Sequence, residues 1–405
     1  MENGIKLCER HLCTGCMSCR QSCAHNAIDI TTIDDFDYPL INNQVCVQCG
    51  LCISACPIIN KKKEGIKHKD SNICFAAWHK NDTIRKNSSS GGVFSAFSSY
   101  IFSKGGVVFG AAWDDMKLKH IGVQDDKDLR KIRRSKYVQS DTSVSYIEVK
   151  KSLSIGKTVL FSGTPCQIAG LYAFLNYKNY PDLFTIDVIC QGVPSPHLFN
   201  QYIKEIEGKY KKNVIDVNFR NKKRGWRTSS KMLEVFFSKG KHRINKFLFL
   251  HNNSYYRAFY KEYFMRPSCY DCSFKNSTRG YYSDITIGDF WRIGNTIPFY
   301  DKDKEKGVSV ILVNTEKGQC LFDNCKSIIE YRNRTWEEFA TNGGIYCSKC
   351  PTTNNEARIF LKNHSWEQTQ KKYFPLSIKE TIKDLSMIIL GEKYYNIIKQ
   401  WKRGN

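Results

Sequence analysis

The sequence predicts a mixed α/β protein in which a small cysteine-rich module precedes a larger domain of strands and helices. Two observations lead to this fold class. Eight of the 18 cysteines of the 405-residue chain lie between positions 13 and 56. Beyond position 150, short apolar runs alternate with segments of helical periodicity, which is typical of a parallel or mixed sheet covered by helices.

The eight cysteines form two runs with nearly the same internal spacing. In each run, three cysteines are separated by two residues and a fourth follows after three more. The runs are Cys13, Cys16, Cys19 and Cys23, and then Cys46, Cys49, Cys52 and Cys56. This spacing is typical of bacterial ferredoxins with two [4Fe–4S] cubes, in which the fourth cysteine of each run binds the other cube. We therefore expect Cys56 to complete the first cube and Cys23 the second.

Zinc is the main alternative for paired CxxC sequences. A zinc site takes four ligands in two pairs, so it leaves no role for three cysteines at two-residue spacing followed by a fourth. Ligand spacing and softness favour iron–sulfur over zinc or disulfides. Ala24 stands where a proline would be typical after the first run. Proline would only fix φ there, so its absence removes no ligand.

The formal net charge of +23 is compatible with nucleic acid, an acidic partner or a membrane surface. The Lys and Arg residues are scattered among acidic ones, and no helix-turn-helix or RNA-binding signature accompanies them. We expect an acidic electron donor of the ferredoxin or flavodoxin kind, or an acidic small substrate. No apolar run approaches the roughly 18 residues of a membrane span. A cysteine-rich chain without a hydrophobic leader predicts a cytoplasmic location.

Four regions are expected along the chain. Residues 1–62 form the two-cluster module, and a polar linker at 61–70 ends it. Residues 72–150 and 151–325 are two parts of one α/β domain, and 326–405 form a helical extension. The tail from Ile378 onward predicts an amphipathic helix whose apolar face packs on the body of the protein.

A stretch of small residues before the first helix of the larger domain is a candidate phosphate site. It contains Ser90, Gly91, Gly92 and Ser95. Glycines and hydroxyl residues before a helix expose backbone N–H groups at the positive end of the helix dipole. An ordinary N-cap with a close helix–strand contact predicts the same residues. The motif alone does not distinguish the two.

Four further cysteines follow predicted elements of the larger domain. Cys166 and Cys190 come directly after two predicted strands, at the carboxyl ends where cofactors bind in such sheets. Cys269 and Cys272 form a CxxC pair after an aromatic helix predicted at 254–265. Buried free cysteine is the simpler explanation for any one of these positions, but four thiolates at one sheet edge are also the ligand set of a third cube.

Six motifs in this order make the chain resemble the beta subunit family of coenzyme F420-reducing hydrogenase and dehydrogenase. They are SSGGVFS (89–95), KYVQSD (136–141), SGTPCQIAGL (162–171), CQGVPSP (190–196), CYDC (269–272) and DITIGDFW (284–291). The resemblance covers residues 74 to about 320, and the ferredoxin-type module is fused in front of it.

The resemblance implies an iron–sulfur flavoprotein oxidoreductase with FAD in the central domain and a third [4Fe–4S] cluster beside it. The expected ligands of that cluster are Cys166, Cys190, Cys269 and Cys272. The residues expected to hold FAD are Ser90, Gly91, Gly92, Ser95, Lys136, Tyr137, Gln139 and Ser140. Family members act on the F420 deazaflavin, on chlorophyll-type substrates with ferredoxin as donor, or on unknown substrates of polysaccharide gene clusters.

Iron–sulfur clusters pass one electron at a time, whereas most organic reductions take two, and a flavin joins the two kinds of step. We expect electrons to pass from a ferredoxin-like donor through the clusters and FAD to an organic substrate. The alternatives are a non-catalytic electron-transfer subunit of a larger hydrogenase or dehydrogenase, and an iron–sulfur protein that only binds. No catalytic residue is predicted. His197 and Asp289 are the candidate proton donors, and a structural role explains each more simply.

Overall fold

The computed structural model describes residues 5–60, 74–142, 144–227, 232–240, 242–275, 280–299, 304–342 and 345–401. The linker predicted at 61–70 lies outside these residues. The mixed α/β fold class is confirmed. None of the described helices is long and apolar enough to cross a membrane.

The strands of the described residues are β1 (Ile28–Ile33), β2 (Phe36–Ile41), β3 (Cys74–His79), β4 (Val107–Asp114), β5 (Lys117–Val123), β6 (Val159–Gly163), β7 (Leu183–Val188), β8 (Val214–Phe219), β9 (Leu233–Lys239), β10 (His242–Leu248), β11 (Ile285–Asp289), β12 (Ser309–Val313) and β13 (Ile329–Arg334). The helices are α1 (Ser18–Gln21), α2 (Leu51–Ser54), α3 (Asp82–Lys86), α4 (Val93–Ser103), α5 (Asp126–Ile132), α6 (Ser145–Ser154), α7 (Pro165–Phe174), α8 (Pro196–Tyr210), α9 (Ser254–Tyr260), α10 (Pro267–Tyr270), α11 (Glu316–Cys325), α12 (Trp336–Ala340), α13 (Asn354–Asn363), α14 (Trp366–Tyr373) and α15 (Ile378–Trp401).

Each cysteine run of the N-terminal module turns sharply around its second cysteine. The residues before and after that cysteine have positive φ in both runs: Gly15 and Met17 around Cys16, and Gln48 and Gly50 around Cys49. Glycine adopts this conformation without strain. In the first run the glycine, Gly15, precedes the cysteine, and in the second run the glycine, Gly50, follows it. The short helices α1 and α2 follow, and the β1–β2 hairpin joins the two halves.

An eight-stranded sheet in the order β13-β3-β12-β11-β7-β6-β4-β5 forms the centre of the molecule. The strands β4, β6, β7 and β11 are parallel neighbours, and the outer strands are antiparallel. Both predicted parts of the domain contribute to this one sheet. The sheet also contains β13, so the domain extends past the expected boundary at 325.

Helices cover both faces of this sheet. On β6, Leu160 packs into the apolar layer under α4 and α11, while Val159 and Phe161 pack on the other face with α6 and α7. This alternation of side chains is that of a strand buried on both faces. The parallel strands therefore end at a single edge, which the loops after β6, β7 and β11 line.

A separate three-stranded sheet has the order β10-β9-β8. The sequence also predicts strands at 214–219 and 231–237, and the structure has them as the antiparallel neighbours β8 and β9. The sequence does not predict the polar strand β10. The aromatic helix α9 is shorter than the predicted 254–265. It ends at Tyr260 because Glu262 and Phe264 both have positive φ.

The C-terminal helix α15 contacts the body through a polar residue. Asp384 is buried and accepts hydrogen bonds from the backbone N–H of His251, while its carboxylate also contacts the imidazole Nδ1 at 2.7 Å. By contrast, Ile378 is 81% exposed and Ile389 is 76% exposed. The prediction that the apolar face of this helix packs on the body is therefore wrong for these residues.

Candidate functional site

The N-terminal module has two small internal spaces that cysteines line. Around one of them lies the first cysteine group: Cys13, Cys16, Cys19 and Cys56. Around the other lies the second cysteine group: Cys23, Cys46, Cys49 and Cys52. These are the two sets that crossed ligation predicts, since Cys56 of the second run lies with the first group and Cys23 of the first run lies with the second group.

The two groups differ in their access to solvent. Cys13, Cys16 and Cys56 are buried, whereas Cys49 of the second group is exposed. Within the described residues, no three His, Cys, Asp or Glu side chains converge on a position for a single metal ion. A four-iron cube is larger than one ion, and its thiolates stand correspondingly farther apart.

Arg266 binds the first cysteine group to the body of the protein. Its buried guanidinium donates to the backbone oxygen of Cys13 at 2.7 Å, to that of Asp37 at 3.0 Å and to Gln139 Oε1 at 2.9 Å. It also lies over the ring of Tyr38, 4.4 Å from its centre. Arg266 therefore places a positive charge beside the first cysteine group, where it would favour reduction of a cluster held by that group.

Helix α7 approaches the first cysteine group more closely than a side chain at Gly170 would allow. A Cβ at Gly170 would lie 2.9 Å from both Cβ and Sγ of Cys16. Thr142 fixes the same loop by donating to the Cys16 carbonyl at 2.7 Å. The N-terminal module thus packs directly on the helix that begins beside Cys166.

The third cysteine group consists of Cys166, Cys190, Cys269 and Cys272. Cys166 lies in the first turn of α7, and Cys190 follows β7 by two residues. A Cβ at Gly192 would lie 3.3 Å from Cβ of Cys269, so the loop after β7 reaches the CxxC pair. The structure therefore brings together four thiols that are up to 106 positions apart in sequence (272 minus 166).

Burial dominates the electrostatics of this third group. It raises the pKa of Cys269 and of Cys272 to about 12, and the other thiols of the group add to the effect. Burial also raises the pKa of Cys166 and Cys190. Thiols in such surroundings are protonated and inert unless a metal charge stabilises the thiolate. Lys275 lies close enough to lower the pKa of three of them.

A cavity of about 530 Å³ lies at the carboxyl edge of the parallel strands. Cys166 and Cys190 of the third cysteine group line it, as does Thr14 of the N-terminal module, the neighbour of Cys13. Cavities of this size at this position of an α/β sheet are typical cofactor sites. The third cysteine group and the loop that follows Cys13 therefore border one cavity.

Six of the eight residues predicted to hold FAD line the cavity. They are Ser90, Gly92, Lys136, Tyr137, Gln139 and Ser140. Gly92 has a φ of 89° and is the N-cap of α4, where it supplies no side-chain cap. The helix begins with Val93, which also lines the cavity, so the positive end of its dipole lies at the cavity wall.

Gly91 and Ser95 do not line the cavity. A Cβ at Gly91 would lie 2.3 Å from the Ala77 carbonyl oxygen, so this glycine allows the chain to pass against β3 and β12. Its N–H donates to Ser309 Oγ at 2.9 Å. Ser95 is buried within α4. The sequence left two interpretations of these residues open, a phosphate site or a close packing of helix against strand. For these two positions the structure has the close packing.

Basic side chains give one wall of the cavity a positive charge. Arg133, Arg134 and Lys136 line it, and the buried Nε of Arg133 has no hydrogen-bond partner. The carboxylate of Asp289 also lines it but accepts hydrogen bonds from buried Arg220 and from Trp226 Nε1. The cavity therefore presents unmatched positive charge, which suits an anionic ligand.

His120 is a cavity residue that the sequence did not reveal. Its Nδ1 lies 3.0 Å from Ser140 Oγ, and its Nε2 lies 3.0 Å from the Ser162 carbonyl oxygen. Because a carbonyl oxygen only accepts, Nε2 carries the proton and Ser140 donates to Nδ1. Burial lowers the pKa of His120 to about 4, which keeps the ring neutral. The absence of a local sequence pattern explains why it was missed.

Two candidate proton donors have structural contacts. His197 Nε2 lies 3.1 Å from Asp37 Oδ1 and so joins α8 to the β1–β2 hairpin, away from the cavity. Asp289 forms the ion pair with Arg220. Cys347 lies beside the third cysteine group, with its Sγ 3.5 Å from the Cys272 carbonyl oxygen.

Three family models match the chain. Residues 74–145 match the N-terminal part, and residues 156–335 the C terminus, of the coenzyme F420 hydrogenase/dehydrogenase beta subunit. Residues 12–58 match a 4Fe-4S dicluster domain. No curated protein is similar enough to count as a relative. A chain of the F420-reducing [NiFe] hydrogenase complex from Methanosarcina barkeri is 17% identical over 76% of this chain and 91% of its own, with a TM-score of 0.43.

Proposed function

Because the chain belongs to the coenzyme F420 hydrogenase/dehydrogenase beta subunit family and has a 4Fe-4S dicluster domain in front, we propose that it is an iron–sulfur flavoprotein that reduces an organic substrate. One observation carries this proposal. Thr14, which follows Cys13 of the first cysteine group, lines the same cavity as Cys166 and Cys190 of the third group, so electrons that enter the dicluster domain would have a short path to a ligand there.

The order of the electron carriers follows from burial. The second cysteine group is nearest to solvent, because Cys49 is exposed, and is the point of entry from a ferredoxin or flavodoxin-like donor. The first group is buried against α7 and is the middle carrier. The third group, which Cys166 begins, is the last carrier before the cavity.

The residues of the cavity fit FAD. The basic wall and the start of α4 would hold the two phosphates, and the hydroxyl groups of Ser88, Ser89 and Ser90 lie at the same end. Aromatic side chains line the remainder: Tyr137, Phe259, Tyr260 and Trp291. Such rings suit a flat aromatic ligand. FAD would supply the conversion between one-electron and two-electron transfer.

The protein's own groups would then orient the ligand and limit water. The network of Ser140, His120 and Gln167 is buried, with Gln167 Nε2 donating to Ser140 Oγ at 3.0 Å. It supplies a neutral polar part of the cavity wall. The wall carries no acid whose proton is free for transfer, so we place proton delivery on the substrate side, from solvent.

Anaerobic purification with iron, sulfide and flavin analysis tests the proposal. We expect about 12 irons per chain, which is three cubes of four, and one FAD. Cys49→Ser and Cys269→Ser should each remove about four irons and leave FAD bound. Cys325→Ser is the matched control, because Cys325 is buried in the apolar core away from the three groups. Protein with about eight irons that Cys269→Ser does not change would contradict the third cube.

A non-catalytic electron-transfer subunit is the second candidate, and helix α15 favours it because five of its apolar side chains are exposed: Ile378, Ile382, Leu385, Ile389 and Leu390. Steady-state turnover separates the candidates. An isolated chain that oxidises reduced ferredoxin with an added organic acceptor supports the reductase. Flavin reduction without any turnover, restored only by another subunit, supports the second candidate.

A further inference from the structure

A fifth cysteine, Cys8, lies at the first cysteine group. It lines the same internal space as Cys13, Cys16, Cys19 and Cys56. Its side chain packs with Cys13 and with the aromatic rings of the β1–β2 hairpin. The two-run spacing of the dicluster domain does not include this residue, and neither does the family match, which begins at position 12.

The Cys8 thiol contacts two of the four expected ligands. It lies within hydrogen-bonding reach of the sulfurs of Cys13 and Cys56. In these contacts the thiol of Cys8 is the donor, and the two ligand sulfurs accept.

The backbone at Cys8 is not part of a helix or strand. Residues 5–9 form an irregular segment that passes both internal spaces, with Ile5 against the second and Leu7 and Cys8 against the first. Such a segment can shift by the small distance that separates a neighbouring thiol from a metal ligand. The second cysteine group has no fifth cysteine among its lining residues within the described chain.

We propose that Cys8 is an exchange ligand of the first cube, which takes over an iron when Cys13 or Cys56 leaves it. In the exchange, the iron–sulfur bond to Cys56 breaks and a bond to Cys8 forms. The proton of the Cys8 thiol passes to the departing Cys56 thiolate, and no oxidation state changes. The inference rests on the dicluster domain alone and is independent of FAD and of the third cube.

Exchange would protect the carrier that lies between the donor and the body of the protein. A ligand that is oxidised or lost would otherwise release iron from a buried position. The two cubes should therefore differ in their tolerance of ligand loss, because a spare thiol stands beside one of them only.

The test compares ligand deletions at the two cubes in the full-length protein, reconstituted anaerobically with iron and sulfide. Alanine is used because it offers no ligand atom. Cys56→Ala should retain as much iron as the unchanged protein. The double variant Cys8→Ala with Cys56→Ala should lose about four irons per chain. Cys56→Ala combined with Cys74→Ala, a remote buried cysteine, is the matched control and should retain its iron.

Cys23→Ala removes the equivalent ligand of the second cube and should lose about four irons in the presence of Cys8. If Cys56→Ala alone loses as much iron as the double variant, the proposal is overturned. Cys13→Ala with and without Cys8→Ala provides a second pair should Cys56→Ala fail to fold. Electron paramagnetic resonance of the reduced protein gives an independent readout. In Cys56→Ala the signal of the first cube should be altered, because one ligand has changed. In the double variant Cys8→Ala with Cys56→Ala that signal should be absent.

Discussion

Arg266 Nε donates a hydrogen bond of 2.7 Å to the carbonyl oxygen of Cys13, across 253 positions of sequence. This contact fixes the N-terminal module to the body and at the same time places a guanidinium beside the first cysteine group. Docking and redox tuning therefore depend on the same side chain.

Replacing Arg266 with Met should weaken both functions. The variant loses several buried hydrogen bonds, so the free energy of unfolding should fall by about 3 kcal/mol. The first cube should become harder to reduce, because a nearby positive charge is lost. Thermal unfolding and a redox titration measure the two effects. Arg243→Met is the control, because the exposed pair of Arg243 with Asp216 should contribute less than about 1 kcal/mol.

A methyl group at Gly170 should displace the first cysteine group. Gly170→Ala would place its Cβ 2.9 Å from Cys16 Sγ, so we expect partial loss of iron or an altered signal from the first cube. Gly208→Ala is the matched control, since Gly208 also lies in a helix and has nothing within 4 Å of the added Cβ. It should stabilise the protein by up to about 1 kcal/mol. Equal iron content and identical spectra for both variants would show that the close approach has no role.

The affinity for FAD should fall as pH rises above about 7. Burial lowers the pKa of Lys136 from 10.5 to about 7. Between these values the unfolded chain holds a proton that the folded protein lacks, so the stability of the ligand-free protein rises with pH across this window. Phosphate binding, in contrast, needs the charged form, which is lost above about pH 7. Flavin fluorescence titrations across this range measure the effect.

Lys136→Arg should retain the charge and remove this pH dependence. Lys222 is the internal comparison, because burial lowers its pKa to about 7 as well while its ammonium group donates to three backbone carbonyls. A pH dependence that survives in Lys136→Arg would contradict the assignment to Lys136.

Removing the carboxylate of Asp289 should destabilise the fold. Asp289→Ala leaves the buried Arg220 guanidinium without its ion-pair partner, and we expect a loss of about 3 to 5 kcal/mol. Chemical denaturation measures it, with Asp216→Ala, from an exposed pair, as the control. If Asp289→Ala has the same free energy of unfolding as the unchanged protein yet abolishes turnover, Asp289 is a proton donor after all.

The parts of the site that follow from local pattern could be predicted. Cysteine spacing identified the two groups of the N-terminal module, because three ligands of a cube must come from one tight turn. The sequence also predicts a helix at 196–210, because Ser195 is a suitable N-cap and proline suits the first helical position, and α8 has these bounds. The motifs around Cys166 and Cys190 also indicated the edge of the sheet where the cavity lies, because both motifs directly follow predicted strands.

The remaining contacts have no local signature. Arg266, His120 and Arg220 act on residues that the fold brings near from distant positions, and each is an ordinary polar residue in its own segment. Gly91 illustrates the reverse case, in which a glycine that matched a phosphate motif instead avoids the Ala77 carbonyl. The tail helix α15 was predicted from its apolar spacing, but it docks through the hydrogen bonds between Asp384 and His251, which that spacing does not reveal.

Helix α7 has a further consequence for the energetics of electron storage. Cys166 and Gly170 are four positions apart, so they lie on one face of the helix, about 5 to 6 Å from each other. The first and third cysteine groups would therefore hold charge at short range. At roughly 10 Å and an effective dielectric constant near 20, two like charges repel by about 1.7 kcal/mol. If both groups hold a cluster, an electron on one would disfavour an electron on the other, and the chain would conduct single electrons instead of storing them.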